Sequence, residues 1–572
     1  MLRQTLRQML RQTLHSLLAV GALATASLDA QAQPATRQPQ SADLVVINAR
    51  IYTSDGARPI VDAMAVRAGR VVFTGDAAGA RALVNAETRV LDLGGRTVIP
   101  GMTDAHLHVA GVGQKRVSVD LMGTTSYEEI IARVVERART TPKGQWILGR
   151  GWDQNDWGDT RWPDHAALSR AVPDHPVALT RVDGHASLVN AAAMRAANLT
   201  RETTIPAGGD ILKTASGELI GVLVDNAQGL VGRVIPPPTR AQMKEMLKAA
   251  FTEMNRWGLT SVHDAGSSAQ VLDIYEELGR ENAISVRLYA MISDNAPVVD
   301  AWFRRGPLVS AYDGTLWVRS VKLYQDGAMG SRGAALLEPY SDDARTSGLL
   351  VSAPQHIREI ADRALVAGFQ VNTHAIGDRG NRLVLDSYEA AFKTRPTADH
   401  RFRIEHAQIL HSDDIPRFAQ LGVIPSMQAS HQSSDMYWVG NRLGEGRLRG
   451  AYAWRSLLAT NVVIPNGSDA PVEYVDPLIS FKASVARQDA RNWPVGGWYP
   501  EQRMTRDEAL LSMTLWAAYA GFQEAELGSL TPGKRADFVV LSQDIMRVPA
   551  EVLQDTHVLS TWFGGRLVYE RK

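Results

Sequence analysis

The sequence predicts an α/β protein: a (β/α)8 TIM-like barrel with an insertion after strand 1, plus a small discontinuous β-domain from both chain ends. Three observations carry that prediction. Short apolar runs alternate with helical stretches through the middle of the chain, the pattern of βα units around a parallel sheet. Eight such runs can be placed, the number a closed barrel requires. Turn-punctuated strand patterns sit at both ends, each too small to bury a sheet face by itself.

Taken in order, residues 1–32 read as a signal peptide. Arg3, Arg7 and Arg11 make a basic start, an Ala/Leu-rich apolar run follows, and Ala30-Gln31-Ala32 fits a small-x-small cleavage site. The apolar run is too short to be a convincing membrane span. An exported protein, periplasmic or secreted, with no membrane attachment after cleavage is therefore expected. Residues 33–42 have linker composition. Residues 43–100 supply the first β-domain segment, with strand patterns at 44–47, 49–53, 63–67, 70–74 and 88–92. Residues 528–572 supply its second segment.

The barrel spans 101–527, with strand patterns at 102–109, 260–264, 285–292, 317–325, 370–374, 402–406, 423–428 and 462–469. Helical spacing at 240–256 and 355–367, and a capping box opened by Thr505 and Glu508, fill the intervals. The first connection is far longer than the roughly 30 residues of a βα unit. An inserted subdomain over about 110–258 accounts for it, leaving the barrel at the end where active sites sit.

Composition narrows the function. The 61 basic residues balance 61 acidic ones, so there is no charge footprint for nucleic acid or an anionic membrane. A small-molecule substrate is the expected partner, and assembly as a monomer or homo-oligomer stays open. The absence of cysteine excludes disulfides and thiolate metal sites.

Metal-competent residues then recur where a barrel would gather them. His106 and His108 stand two apart, so on a strand they share a face and can close on one ion. Lys322, His374, His406 and Asp469 each sit at or near the carboxyl end of a later strand pattern. His374 and His406 are one βα unit apart, and His406 and Asp469 two. Chance would scatter such residues along helices and loops.

These motifs resemble the metal-dependent amidohydrolase superfamily, in the branch called amidohydrolase family 3 (YtcJ-like). The resemblance rests on Gly101-Met102-Thr103-Asp104-Ala105-His106-Leu107-His108, Val182-Asp183-Gly184-His185-Ala186, Val321-Lys322 with Asp326-Gly327, and Asn372-Thr373-His374-Ala375-Ile376-Gly377-Asp378. Ile404-Glu405-His406, Gly467-Ser468-Asp469 and Gly533-Lys534-Arg535-Ala536-Asp537 complete it. Ala328 is a small departure, since relatives often carry Ser there. By that resemblance His106, His108 and Asp469 would hold one divalent ion and His374 and His406 a second, with Zn²⁺ as the expected metal. Lys322 would bridge the two as N6-carboxylysine, because an ammonium has no lone pair to offer a metal.

The implied reaction is hydrolysis of a C–N bond other than a peptide bond, of the N-substituted amide or formamide type. A metal-activated hydroxide would attack, and Asp469 would act as general acid and base. His185 is expected as a transition-state donor or as half of a structural pair with Asp183. Trp152, Asp153, Asp183 and Asp326 are expected to line the pocket. Lys322 paired with Asp326, leaving one metal only, is the alternative for that lysine. His263 with Asp264 reads as a structural turn, and His431, Tyr437 and Trp438 as pocket lining or loop packing. Esterase or lactonase activity, or mononuclear deamination, is the chemical rival, though deaminases of the superfamily usually lack the lysine. A non-catalytic binding or regulatory protein is the rival of another class, against which stands the presence of every expected ligand.

Overall fold

The computed structural model describes residues 41–114, 118–397 and 399–572. The expected signal peptide and residues 33–40 of the linker lie outside the described residues. Ala42 already belongs to the fold: it is buried, and its amide donates to the Leu83 carbonyl. Among the described residues no helix is long and apolar enough to cross a membrane.

Both chain ends contribute to one sheet, as their turn-punctuated patterns predict. Leu44–Tyr52, Ala63–Arg67, Arg70–Gly75 and Arg89–Pro100 pair with Phe538–Leu541, Val558–Phe563 and Arg566–Glu570. The seam between the ends is the antiparallel register of Phe538 opposite Pro100 and Leu541 opposite Thr97. Alternation puts Val46, Val98, Phe538 and Trp562 into one apolar core, where Phe538 and Trp562 stack with centroids 5.2 Å apart. The two short patterns expected at 44–47 and 49–53 are one strand bent by a bulge after Ile47, with Asn48 at φ 51°.

Seven parallel strands make the barrel wall: β1 (Met102–Leu107), β2 (Leu259–Ser267), β3 (Arg287–Ser293), β4 (Leu316–Tyr324), β5 (Gln370–Ala375), β6 (Arg403–His406) and β7 (Ile424–Ser426). They neighbour one another in chain order, which the right-handed βα crossover produces. Helices between them bury one stripe. In Ala269–Arg280, for example, Val271, Leu272, Ile274, Tyr275 and Leu278 face the core at three- and four-residue spacing. β1 starts one residue after the terminal sheet strand ends, and a Cβ on the intervening Gly101 would lie 2.1 Å from Thr260 Oγ1. Only glycine allows that close crossing.

The eighth strand expected at 462–469 forms no regular ladder. Pro465 has no N–H to donate, so the run reduces to a parallel bridge between Met427 and Asn466. It still closes the barrel. Gly467 donates to the Met427 carbonyl at 3.1 Å on one side, and Ala105 of β1 donates to the Asn466 carbonyl at 3.0 Å on the other.

The insertion is a separate layer with its own core. Its sheet runs through Val119–Asp120, Ile147–Trp152, Val177–Arg181, Ala186–Val189, Leu219–Asp225 and Gly209–Lys213, in that spatial order. Leu121, Ile130, Trp152, Leu179 and Leu188 pack beneath it. The chain returns through Arg240–Arg256, opened by the Thr239–Gln242 capping box. The capping box expected at Thr505 and Glu508 is also present, although the helix expected beyond it is two pieces, Arg506–Ser512 and Leu515–Ala520.

Candidate metal centre

His106 is the penultimate residue of β1 and His108 directly follows its end, so the two rings emerge on one face, with centroids 5.7 Å apart. Asp469 stands opposite at the mouth. Its Oδ1 lies 3.0 Å from His108 Nε2 and 3.5 Å from His106 Nε2. Yet His106 Nε2 and Asp469 Oδ1 are buried and have no hydrogen-bond partner. Buried ligand-type atoms that converge in this way could hold a cation. The donor atoms of His106, His108 and Asp469 lie within 4.8 Å of one another, and those of His406, His431 and Asp469 do so too.

Three of the imidazoles are oriented by a bond at one ring nitrogen. His106 Nδ1 pairs with Glu405, His406 Nδ1 lies 2.7 Å from Gln428 Oε1, and His374 Nε2 lies 3.4 Å from the Gly327 carbonyl. A ring that donates at one nitrogen keeps the lone pair on the other, the state a metal requires. Burial holds the rings neutral. It pushes His106 down to about 4, assisted by the Lys322 charge, and it takes His374 and His406 well below the usual histidine range. For Asp469 burial acts to raise the pKa, but His108, His106 and His406 outweigh it and keep the carboxylate ionised.

The backbone is strained where these ligands sit. His406 has φ 74° and Asp469 φ 58°, left-handed values that cost of order 1 kcal/mol or more in a residue with a Cβ. Local bonds hold the strain. Asp104 accepts from Ser468 Oγ at 2.6 Å and from the His106 amide at 3.0 Å, tying the Asp469 turn to β1.

His374 closes the group from β5, its ring 4.5 Å from His406 and 5.0 Å from His185. Lys322, on β4, is buried with Nζ 4.3 Å from the Tyr324 ring centroid, and has no hydrogen-bond or ion-pair partner among the described residues. The alternative pairing with Asp326 is not formed. Asp326 is buried and accepts from the amides of Ala335, Ile376 and Gly377, which pins the loop after β4 to the end of β5. It therefore supports the site from below, where a place on the pocket wall is expected from sequence.

Two cavities meet at the centre and share Asp183, His185, His374, His406, Asp469 and Val472 in their walls. One, of about 130 Å³, is also lined by Asp153, His431 and Glu473, and the other, of about 360 Å³, by His108, Lys322 and Arg150. Asp153 and Asp183 thus lie on the wall, both paired with the buried Arg181. Trp152 does not. Its side chain points into the core of the inserted sheet, where its indole donates to the Leu179 carbonyl at 2.8 Å. Along a strand the neighbours Trp152 and Asp153 face opposite ways, and the apolar one goes inward.

His185 is held by a residue that sequence reasoning does not reach. Its Nδ1 lies 2.5 Å from Asp225 Oδ1, whereas Asp183 binds its backbone amide at 3.0 Å. Burial lowers the His185 pKa, but the Asp225 charge overrides it and the net shift is upward. Gln428 ends the strand pattern at 423–428 and Asp225 ends an inserted strand not placed from sequence, and nothing local marks either as a partner of a histidine. His263 is no ligand here. Its Nδ1 lies 2.8 Å from Arg403 Nη1, deep in the barrel.

Known proteins resemble this chain over most of its length. The amidohydrolase family model matches residues 89–569. The chain is 33% identical to a putative amidohydrolase, YtcJ, of Bacillus subtilis, over 85% of this chain and 91% of that one. It is 27% identical to an N-substituted formamide deformylase of Arthrobacter pascens, over 93% and 99%. Among solved structures, an uncharacterized metal-dependent hydrolase from Pyrococcus horikoshii superposes with a TM-score of 0.72 at 29% identity, covering 89% of this chain and 99% of that one. With a match across most of its length and a barrel whose mouth gathers the expected ligands, the chain belongs to the amidohydrolase family and is an amidohydrolase enzyme.

Proposed function

We propose that the protein hydrolyses N-substituted amides or formamides, holding two Zn²⁺ ions, with Lys322 carboxylated between them. The observation that carries this reading is the set of ring nitrogens left free around Asp469 once Glu405, Gln428 and Gly327 have taken the others. His106, His108 and Asp469 would hold one ion, and His374 and His406 the other. His431 is close enough to join Asp469 and His406. Carboxylation turns Lys322 from a partnerless cation among neutral imidazoles into an anion that can ligate both metals.

Bound divalent ions would supply polarisation of the amide carbonyl and a fall in the pKa of water from about 15.7 toward about 7. The rest is done by side chains. Asp469, ionised and facing both donor groups, accepts the proton of the attacking water as the new C–O bond forms. His185, held by Asp225 at Nδ1, directs Nε2–H at the cavity and donates to the carbonyl oxygen as negative charge gathers there. Asp469 then returns its proton to the leaving nitrogen as the C–N bond breaks, giving a carboxylic acid and an amine. We also infer that residues 1–32 direct export and are removed, which amino-terminal sequencing of the secreted form would test.

The decisive experiment purifies the mature protein and counts metal per chain. Native mass spectrometry then looks for one carbon dioxide on the peptide bearing Lys322, and the metal-replete enzyme is assayed on formamides, anilides, esters and lactones. Two metals, the carbamate and amide turnover are expected. Full metal occupancy without hydrolysis of any amide would sink the reading.

A further inference from the structure

Arg150 lies on the inserted strand Ile147–Trp152 and belongs to the walls of two cavities. On one side is the 360 Å³ chamber that holds His108, His185, Lys322, His374 and Asp469. On the other is a separate cavity of about 420 Å³, lined chiefly by apolar groups such as Val119, Leu148, Val189, Val231, Ile235 and Pro236. Gln228 is the other residue the two walls share.

The guanidinium is poorly served by the protein. Its side chain makes one hydrogen bond among the described residues, from Nη2 to the Val182 carbonyl at 3.1 Å. Nε is buried with no partner, and no carboxylate forms an ion pair with it among the described residues. Burial lowers its pKa, with only the charges of Asp469 and Asp183 opposing. Arg181, on the adjacent strand Val177–Arg181, shows the contrast: fully buried, it pairs with both Asp153 and Asp183 and also donates to Gln154 at 2.8 Å. Beside Arg150 the chain runs through Gly184 at φ 77°, where a Cβ would come within 3.2 Å of Nη2. Bare backbone there leaves the guanidinium face clear.

A half-buried guanidinium without an ion-pair partner, its Nε buried and unbonded, is completed by a ligand anion, and its forked donors match a carboxylate with two parallel bonds. We propose that Arg150 is a specificity-determining residue that takes a carboxylate on the substrate, while the 420 Å³ cavity beside it takes an apolar arm. The substrate class is then an N-acyl or N-formyl amino acid with a bulky apolar side chain. This inference rests on the amide-hydrolysis reading above and narrows it.

The test compares N-formylphenylalanine with N-(2-phenylethyl)formamide, which differ only in the carboxylate. The wild-type enzyme is expected to favour the acid. Arg150→Gln should raise KM for the acid about thirtyfold, the scale of a charge-assisted bidentate pair, and leave the neutral amide nearly unchanged. Arg150→Lys should restore part of the loss, and N-formylglycine, which keeps the carboxylate and drops the arm, should bind more weakly than the phenylalanine compound. Equal losses on both amides in Arg150→Gln, or a wild-type preference for the neutral amide, would overturn the proposal. If neither amide is hydrolysed, the amide reading fails, and calorimetry with 3-phenylpropanoate still decides Arg150. Binding that disappears in a folded Arg150→Gln supports the assignment. Binding that is absent in the wild type, or equal in both, removes it.

Discussion

Two arginines, Arg403 fully buried and Arg150 half-buried, are treated in opposite ways in this molecule. Arg403 sits inside the barrel below the metal centre, with Nε 2.6 Å from Glu405 Oε1 and Nη1 2.8 Å from His263 Nδ1. Its Nη2 donates to the Ala105 carbonyl at 2.6 Å, to Ser426 Oγ at 2.8 Å and to Glu405 Oε2 at 2.9 Å. Arg150, at the mouth, has one carbonyl. The same division runs through the acids and imidazoles. Glu405 faces the fixed charge of Arg403 with both oxygens and pairs with His106, whereas Asp469 Oδ1 faces only imidazoles, His108 Nε2 at 3.0 Å and His106 Nε2 at 3.5 Å. Interior charge is paired because nothing else will ever reach it; charge at the mouth is left open because something does. The regions are also joined in series, since Arg403 holds Glu405, Glu405 orients His106, and His106 faces the candidate ion site.

The largest effect that could break this comparison is on activity. On the proposed mechanism Asp469→Asn should lower kcat/KM by about 10³-fold or more, since it would remove both the proton carrier and a ligand. The metal-free variant should lose only a little stability in urea relative to metal-free wild type, because the neighbours that favour the carboxylate are imidazoles and not a fixed cation. A large loss of metal-free stability would show that Asp469 is a structural charge after all. Arg403→Met should do the reverse. It strands Glu405 as an uncompensated buried charge and should cost about 3–5 kcal/mol in the urea midpoint analysis. Arg403→Met with Glu405→Leu should recover part of that stability without recovering activity, because His106 then loses its orienting acceptor. A single Arg403 variant with unchanged stability would end the distinction between saturated interior and open mouth.

How much of this was legible before any coordinates follows the same line. The ring of His106, His108, Lys322, His374, His406 and Asp469 could be found because each is a chemically conspicuous residue ending an apolar strand pattern, and the βα spacing aligns those ends. The terminal sheet was legible from its turns. The eighth strand was only half legible, since Pro465 removes a donor that the apolar pattern does not register. Direction was the hidden quantity elsewhere. Trp152 and Asp326 stand beside motif residues, yet one faces the inserted core and the other three backbone amides. Asp225 was unreadable for another reason. It meets His185 across an antiparallel pair, Ala186 opposite Val224, and that register exists only after the inserted sheet has formed.

A smaller effect sharpens the account at His185. Asp225→Asn keeps the size and the acceptor oxygen but removes the charge that orients and supports the ring. It should lower kcat by roughly 10- to 100-fold with KM and metal content near wild type, the usual scale for losing a second-layer partner of an imidazole. A fall in metal content with kcat per metal unchanged would move Asp225 out of the chemistry and into the support of the His374 side of the site.

The smallest effect lies far from the mouth, where a charge is both paired and wet. Glu508 meets Arg455 at 2.5 and 2.9 Å and accepts from the Thr505 amide at 2.7 Å. The Arg455 bonds pull its pKa down to about 2, against the opposing effect of burial and with help from Thr505. A carboxyl whose folded pKa lies below its unfolded value of about 4.3 stabilises the protein above that value and loses the contribution as pH falls toward the folded pKa. Glu508→Gln keeps the cap and loses the ion pair. Because Arg455 is over a third exposed, solvent screening reduces the expected cost to about 1 kcal/mol at pH 7. The gap between variant and wild type in urea midpoint should narrow steadily below about pH 4.3 and close near pH 2. A gap that stayed constant with pH would mean that Glu508 acts through its helix cap alone, and that pairing at this surface contributes nothing comparable to what it contributes around Arg403.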